Sequence, residues 1–389
     1  MGKEAVIVAY GRSPCCRARK GNLVGTHPIE YAAETLTGVL NRAPGLPRDR
    51  IDDIIVGCAM PVHHMDYNVA RLIALRASLP ERIPGHTINR FCSSSLQAIA
   101  TGANAIIAGQ MHCVIAGGVE DMTDCFAPTQ EAYMDQWLQD HNQGAYMTMG
   151  ETAERVADKY GITREEMDAM AVESHVKAHR AQGDGKLSPS IIPVTNRDGF
   201  RITADEGIRP DTTMEILAGL KPAFRENGRV TAGNSSQTTD AAAFVVLMSS
   251  DMADQFHIKP LARFVGFSVT GCDPSLMGLG PLYAVPRVME LTGLSVMDMD
   301  TIELNEAFAV QALACIRELG LPREKVNPYG GAMALGHPMG ATGALLTEKA
   351  IDFLQDTDQR YALITMCVGG GMGAAGIFER LRSKEFSNE

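Results

Sequence analysis

Short apolar runs and helical stripes alternate from Ala5 to Gly118. Ala5 to Ala9 is an apolar run of strand length, and Ile29, Ala33, Leu36 and Leu40 fall on one helical face. Ile54-Ile55-Val56 reads as a buried strand ending at Gly57-Cys58. Leu96, Ile99, Ala103 and Ile106 mark another helix, and Cys113 to Ala116 a strand that stops at Gly117-Gly118. This alternation predicts α/β layers around a largely parallel sheet, because parallel neighbours need a crossover between them.

The texture changes between about Asp121 and Ala232, where Met, Gln, Asp and Thr replace the apolar runs. Helical spacing there predicts one helix from Thr152 to Tyr160. A second follows a Thr163/Glu166 capping box and runs through Met167, Met170 and His175. The segment reads as an insertion over the core, and strand character returns at Phe244 to Met248. The C-terminal part then echoes the N-terminal part. Residues 50–55 resemble 298–303, Ile88-Asn89 resembles Val326-Asn327, and Val114 to Gly118 resembles Ile364 to Gly369. The echo predicts two similar α/β halves whose corresponding loops face each other, where ligands of α/β sheets bind.

Composition narrows the partners. The 389 residues are 45% apolar and 21% charged, ordinary for a globular protein with sizeable cores. A net charge of −11 argues against nucleic acid as a partner but leaves room for a local basic spot. No apolar run is long enough to span a bilayer, Met1 to Val8 makes no secretory signal, and Phe386 to Glu389 is no peroxisomal address. A cytoplasmic enzyme without membrane insertion is the expectation. Nine scattered cysteines do not form a disulfide framework, and Cys15-Cys16 is a vicinal pair without a second cluster, so no metal site is expected.

Four stretches carry the candidate chemistry: Asn89 to Leu96 around Cys92, Asn305 to Ala309, Gly330 to Pro338 with His337, and Cys367 to Gly373. Each falls at a predicted strand end or helix start. Cys92 opens a serine-rich helix, where the dipole and unpaired amides favour thiolate. Alone, such a cysteine is more often structural, and His337 between glycine and proline is equally a satisfied loop residue. Gly371 to Gly376 matches a dinucleotide fingerprint, but only 13 residues follow it, too few for a βαβ unit. Backbone that approaches a ligand and offers free N–H groups is the better reading. No Walker motif or His-Glu-x-x-His occurs.

Together the four stretches resemble the thiolase family, closest to its degradative 3-ketoacyl-CoA thiolases, from Ile7 to Arg380. Thr231 to Ser236, Asp273-Pro274 and Met277 to Pro281 extend the match. The resemblance implies the thiolase fold, two similar α/β halves with mixed sheets packed in layers: an N-terminal half (1–121), an inserted loop domain over the CoA site (122–232), a return strand of the first half (233–252) and a C-terminal half (259–389). It implies cleavage of 3-oxoacyl-CoA with CoA to acetyl-CoA and a shortened acyl-CoA, by ping-pong through an acyl-cysteine, in fatty acid β-oxidation. Cys92 is then the nucleophile, His337 takes its proton and Cys367 moves the second proton. Asn305 fixes a water that completes one oxyanion hole with His337. The N–H groups of Cys92 and Gly369 form the other. Two thiols and an imidazole fit this chemistry, since breaking the Cα–Cβ bond leaves a carbanion whose charge must move to a hydrogen-bonded oxygen.

The resemblance also implies CoA contacts at Lys221 and Ser235 and an acyl pocket lined by Met149 and Met277, although surface lysine and core methionine are their ordinary roles. CoA enters as a substrate, with no permanently bound cofactor. A homodimer or homotetramer and a β-oxidation multienzyme partner follow by family. Several positions depart from the family pattern. Thr148 stands where short-chain acetoacetyl-CoA thiolases carry histidine, which tilts specificity to longer chains; Cys15-Cys16 follows Arg12-Ser13-Pro14; His63 to Asp66 replaces a glycine-containing loop; and 124–147 maps to nothing in the family. Two alternatives stay open: an acetoacetyl-CoA thiolase running in the condensing direction, and a non-catalytic scaffold of the same fold.

Overall fold

The computed structural model describes residues 4–125 and 133–382. Among these, twelve strands form: β1 (Ala5–Arg12), β2 (Cys16–Arg17), β3 (Asp53–Gly57), β4 (Gly85–Ile88), β5 (Cys113–Glu120), β6 (Val194–Thr195), β7 (Arg201–Ile202), β8 (Thr239–Ser249), β9 (Ala262–Gly271), β10 (Thr301–Leu304), β11 (Tyr361–Val368) and β12 (Met372–Arg380). The main sheet runs β10-β11-β12-β9-β1-β8-β5-β3-β4, with β2 beside β8 and the β6–β7 pair apart.

That order makes the duplication explicit. β3-β5-β8-β1 in one half mirrors β10-β11-β12-β9 in the other. In each half the first pair is parallel and the next two are antiparallel, and the halves join at a short antiparallel β1–β9 seam. Val326 bridges Ile302 in parallel, as β4 does β3. The sheet is therefore mixed, as the thiolase resemblance implies, and not largely parallel as the strand–helix alternation alone suggests. β12 returns from β11 through a tight turn, and β8 returns from β5 through the long insertion, and both returns reverse direction.

Strand alternation sorts the core into layers. Val6, Val8, Ile54 and Val56 face helices Pro28–Asn41 and Val69–Arg76. Ala5, Ile7 and Ile55 face helices Ser94–Ile107 and Met339–Asp356, which pack on each other between the halves. Leu363, Ala375 and Ile377 face helices Pro281–Thr292 and Ala309–Leu319, and the insertion helices Met149–Tyr160 and Arg164–Gly183 join that cluster. Each central helix starts just after one half's candidate residue, Cys92 or His337.

Glycine placement departs from expectation. β5 does not stop at Gly117-Gly118 but runs through both to Glu120. A side chain at Gly117 would lie 2.1 Å from the Ala243 carbonyl, and one at Gly118 2.1 Å from that of Gly340. These glycines mark close packing, not termination. The insertion helix expected from Thr152 begins at Met149, because Thr148 and Glu151 form a capping box. The Thr163/Glu166 box starts the next helix as expected.

Candidate active site

The four stretches meet at one end of the sheet. β4 ends at Ile88, and a single 3-10 turn, Phe91–Ser93, carries Cys92 into the helix. Asn89 braces this turn: its Oδ1 accepts the Phe91 N–H at 2.8 Å, and its Nδ2 donates to the Ala59 carbonyl at 3.0 Å. Phe91 takes a left-handed φ of 41°. Such backbone is unusual for a bulky residue and commonest where a site dictates it.

Cys92 is 9% exposed. Its sulfur is placed to accept from the N–H of Gly369 and from its own N–H. Burial nevertheless outweighs these donors and pushes the thiol up to about 11. The thiolate expected from a helix N-terminus is therefore not the resting state. Desolvation of the charged form is the stronger effect here. Gly369 begins the turn between β11 and β12, completed by Gly370 (φ 78°) and Gly371 (φ 81°). Cys367 lies near the end of β11, fully buried. Burial first, and then the neighbouring Cys92, hold its thiol well above the usual range.

His337 follows Gly336, whose φ of 98° lets the chain turn toward the next helix. The imidazole is buried, with Nδ1 2.6 Å from Thr342 Oγ1 and Nε2 3.4 Å from Asn305 Nδ2. A lone pair on Nε2 and a proton on Nδ1 suit these partners. Burial pushes the imidazole down to about 4, so it rests neutral. Asn305 follows β10, tied by its N–H to the Thr365 carbonyl at 3.0 Å, two residues before Cys367. Its Oδ1 is buried and finds no partner among the described residues. An orphaned buried acceptor of this kind is a natural seat for a water.

The binding candidates divide. Met149 is at the site: its sulfur lies 3.7 Å from where a side chain on Gly369 would begin, next to the Phe91 ring at 3.6 Å. Met277 is 2% exposed, packed in the C-terminal core with Val156 and Leu279. Ser235 borders an open cavity of about 350 Å³ whose walls also carry Arg17, Lys20, Arg209 and Ser236. Three cations and no acid make this the local basic spot that the acidic chain allowed. Lys221 is exposed, and two residues on, Ala223 and Phe224 join the cavity wall. Sequence reading missed Arg17, Lys20, Arg209 and Thr342, since nothing local to them signals a site.

The departures have structural accounts. Thr148 serves as the helix cap. Cys15 and Cys16 are buried, the first beside the Arg12–Asp205 ion pair, which also receives the Cys15 N–H. His63–Met65 forms a 3-10 turn, and His64 sits between Asp121 (3.4 Å) and Asp124 (3.1 Å), the one group among the described residues with the spacing to hold a metal. Mutual pairing of the imidazole with two carboxylates accounts for it. Of the segment 124–147, residues 126–132 lie outside the described residues. The rest carries helix Gln136–His141 and packs Gly144 against Ser275.

Comparison with known proteins covers nearly the whole chain. The thiolase N-terminal domain model matches residues 5–251, and the thiolase C-terminal domain model matches residues 258–380. The chain belongs to the thiolase family. It is 45% identical to a 3-ketoacyl-CoA thiolase of Bacillus subtilis (strain 168), over 97% of this chain and 99% of the relative. Among solved structures, the dimeric peroxisomal thiolase of Saccharomyces cerevisiae superposes with a TM-score of 0.93 at 37% identity, covering 97% of each chain. An acetyl-CoA acetyltransferase of Bacillus anthracis superposes at 0.91, with 40% identity, over 98% of this chain and 99% of that one. Among the described residues, no helix is long and apolar enough to cross a membrane.

Proposed function

We propose that the chain is a 3-ketoacyl-CoA thiolase that cleaves 3-oxoacyl-CoA with CoA. The observation that carries this reading is the placement of the Cys92 sulfur against the Gly369 N–H and beside Cys367, with a neutral His337 held on Asn305 and Thr342. Cys92 passes its proton to His337 Nε2 as the sulfur attacks the 3-keto carbon. The oxyanion meets the N–H groups of Cys92 and Gly369. The C2–C3 bond then breaks, and its electron pair moves onto the thioester oxygen. There His337 and a water on Asn305 Oδ1 stabilise the enolate, with each preorganised donor contributing on the order of a few kcal/mol. Cys367 protonates C2, and acetyl-CoA departs. The Cys367 thiolate next takes the proton of an incoming CoA thiol. The CoA sulfur attacks the acyl-Cys92, and the expelled Cys92 recovers its proton from His337.

Two thiols that rest protonated suit this cycle, since one must lose a proton only as the substrate arrives and the other must donate one to carbon. The basic cavity beside Ser235 and Ser236 fits the phosphates of CoA, the substrate, and Met149 faces the acyl chain. Similarity to the acetyl-CoA acetyltransferase favours a second reading, condensation of acetyl-CoA, which uses the same residues. Thr148 weighs toward the first. A homodimer, suggested by the dimeric yeast neighbour, and a cytoplasmic setting belong to the same proposal. A β-oxidation multienzyme partner rests on the family resemblance alone.

The test is intact mass after incubation with 3-ketoacyl-CoA of graded chain length, alongside thiolysis rates. We expect an acyl adduct on Cys92, activity beyond four carbons, and loss of both in Cys92→Ala. A wild-type chain that forms no adduct and releases no acetyl-CoA would be a scaffold instead.

A further inference from the structure

Glu120 is a fully buried carboxylate with no cation beside it among the described residues and no part in the chemistry above. Such a group is costly unless its oxygens are satisfied. Here they are satisfied by three main-chain N–H groups and by the Cys58 thiol, whose Sγ lies 3.9 Å from Oε1. Oε2 accepts the N–H of Ala59 at 2.9 Å and of Gly340 at 2.7 Å, and Oε1 accepts the N–H of Met60 at 3.1 Å. Burial pushes the carboxyl up to about 7, and the three amides pull against it.

The donors are informative. Gly340 is in the first turn of the buried helix Met339–Asp356, which begins two residues after His337 and has no side-chain cap of its own. Glu120 supplies that cap from a strand of the other half, with its charge at the positive end of the helix. Contact this close needs glycine: a side chain at Gly340 would begin 2.7 Å from Glu120 Oε2. Ala59 and Met60 lie in the loop after β3, and the Ala59 carbonyl accepts the Asn89 side chain that fixes Phe91 and so Cys92. Cys58 donates its N–H to the Ile88 carbonyl at 3.1 Å in the same brace.

We propose that Glu120 is a positioning residue that sets the nucleophile loop and the histidine loop in register, by holding the amides of Ala59, Met60 and Gly340 on one carboxylate. This rests on the thiolase reading of Cys92 and His337. Sub-ångström errors between a thiol and its base lower chemistry without weakening substrate binding. An amide at this position keeps one acceptor oxygen but turns an NH2 group toward a backbone N–H, so at least one of the three bonds is lost.

The experiment compares Glu120→Gln and Gly340→Ala, singly and together, with wild type. The readouts are thiolysis kcat, KM for the 3-ketoacyl-CoA, and the rate of acyl-adduct formation on Cys92. Each single variant is expected to lose about tenfold or more in kcat and adduct rate with KM within about twofold. The double variant should fall little further, because both changes break the same contact. Folded variants with wild-type kcat, losses that appear in KM alone, or losses that multiply in the double variant overturn the proposal. If no variant at either position folds, the role is structural and the proposal also falls. An inactive wild type would overturn the thiolase reading itself, which separates the two failures.

Discussion

At the scale of single residues, the proposed nucleophile rests protonated and the proposed base neutral. Cys92 is pushed up to about 11 and His337 down to about 4, both by burial. Alkylation of Cys92 by a small haloacetamide in the free enzyme should therefore be slow at neutral pH and rise steadily into the alkaline range, with no plateau near 8. His337 also carries a stability signature. Its folded value lies below the ordinary 6.5, so the fold prefers the neutral ring. The stabilisation is complete above about 6.5 and is lost as pH falls toward 4, an effect on the order of 3 kcal/mol. Glu120, Asp240 and Asp352 shift upward and act with the opposite sign over the same range. The measurement is thus a difference: denaturation from pH 7.5 to 4 of wild type minus His337→Gln. If the two curves run parallel, the neutral buried imidazole is wrong. Cys92 and His337 stood out because Ser93 and Gly336 flank them at a helix start and a turn, while Asn305 and Cys367 were legible only through the resemblance of the four stretches taken together. Protonation was not legible, because helix dipoles are local whereas burial depends on Phe91, Met149 and a facing half of the molecule.

At the scale of elements, the turn Gly369–Gly371 joins two strands and supplies an N–H to Cys92. Gly371 has left-handed backbone, and a side chain there would begin 2.5 Å from the Cys272 carbonyl. Gly371→Ala should cost about 2 kcal/mol or more in urea denaturation and lower kcat, since relief of the clash moves Gly369. An alanine variant with wild-type stability would contradict this backbone path. Strand and helix positions followed from period, and the Thr163 cap from its box. Sheet direction did not: an apolar run such as Phe244 to Met248 reads the same whether its neighbours run with it or against it. Gly117 and Gly118 misled for a related reason, since a glycine needed for close packing looks like one that ends a strand.

At the scale of the whole molecule, the insertion is tied to the first half by a buried pair, Arg12 with Asp205, at 2.6 and 2.8 Å. Asp205→Ala leaves a buried guanidinium unpaired and should destabilise by about 3–5 kcal/mol. A urea midpoint close to wild type would mean that the pair is not closed in solution. Doubling of the chain was visible as faint echoes because matching strands keep their apolar pattern, while the loops that make the halves unequal have diverged.

β8 lies between β1 and β5, yet it arrives in the chain only at Thr239, with the whole insertion made beforehand. During synthesis or refolding, β1 and β5 therefore wait as two unpaired edges. Open edges recruit strands from other molecules, and distant pairings form slowly. Recovery of active protein from denaturant should drop sharply as chain concentration rises, with aggregation competing against the late entry of one central ribbon.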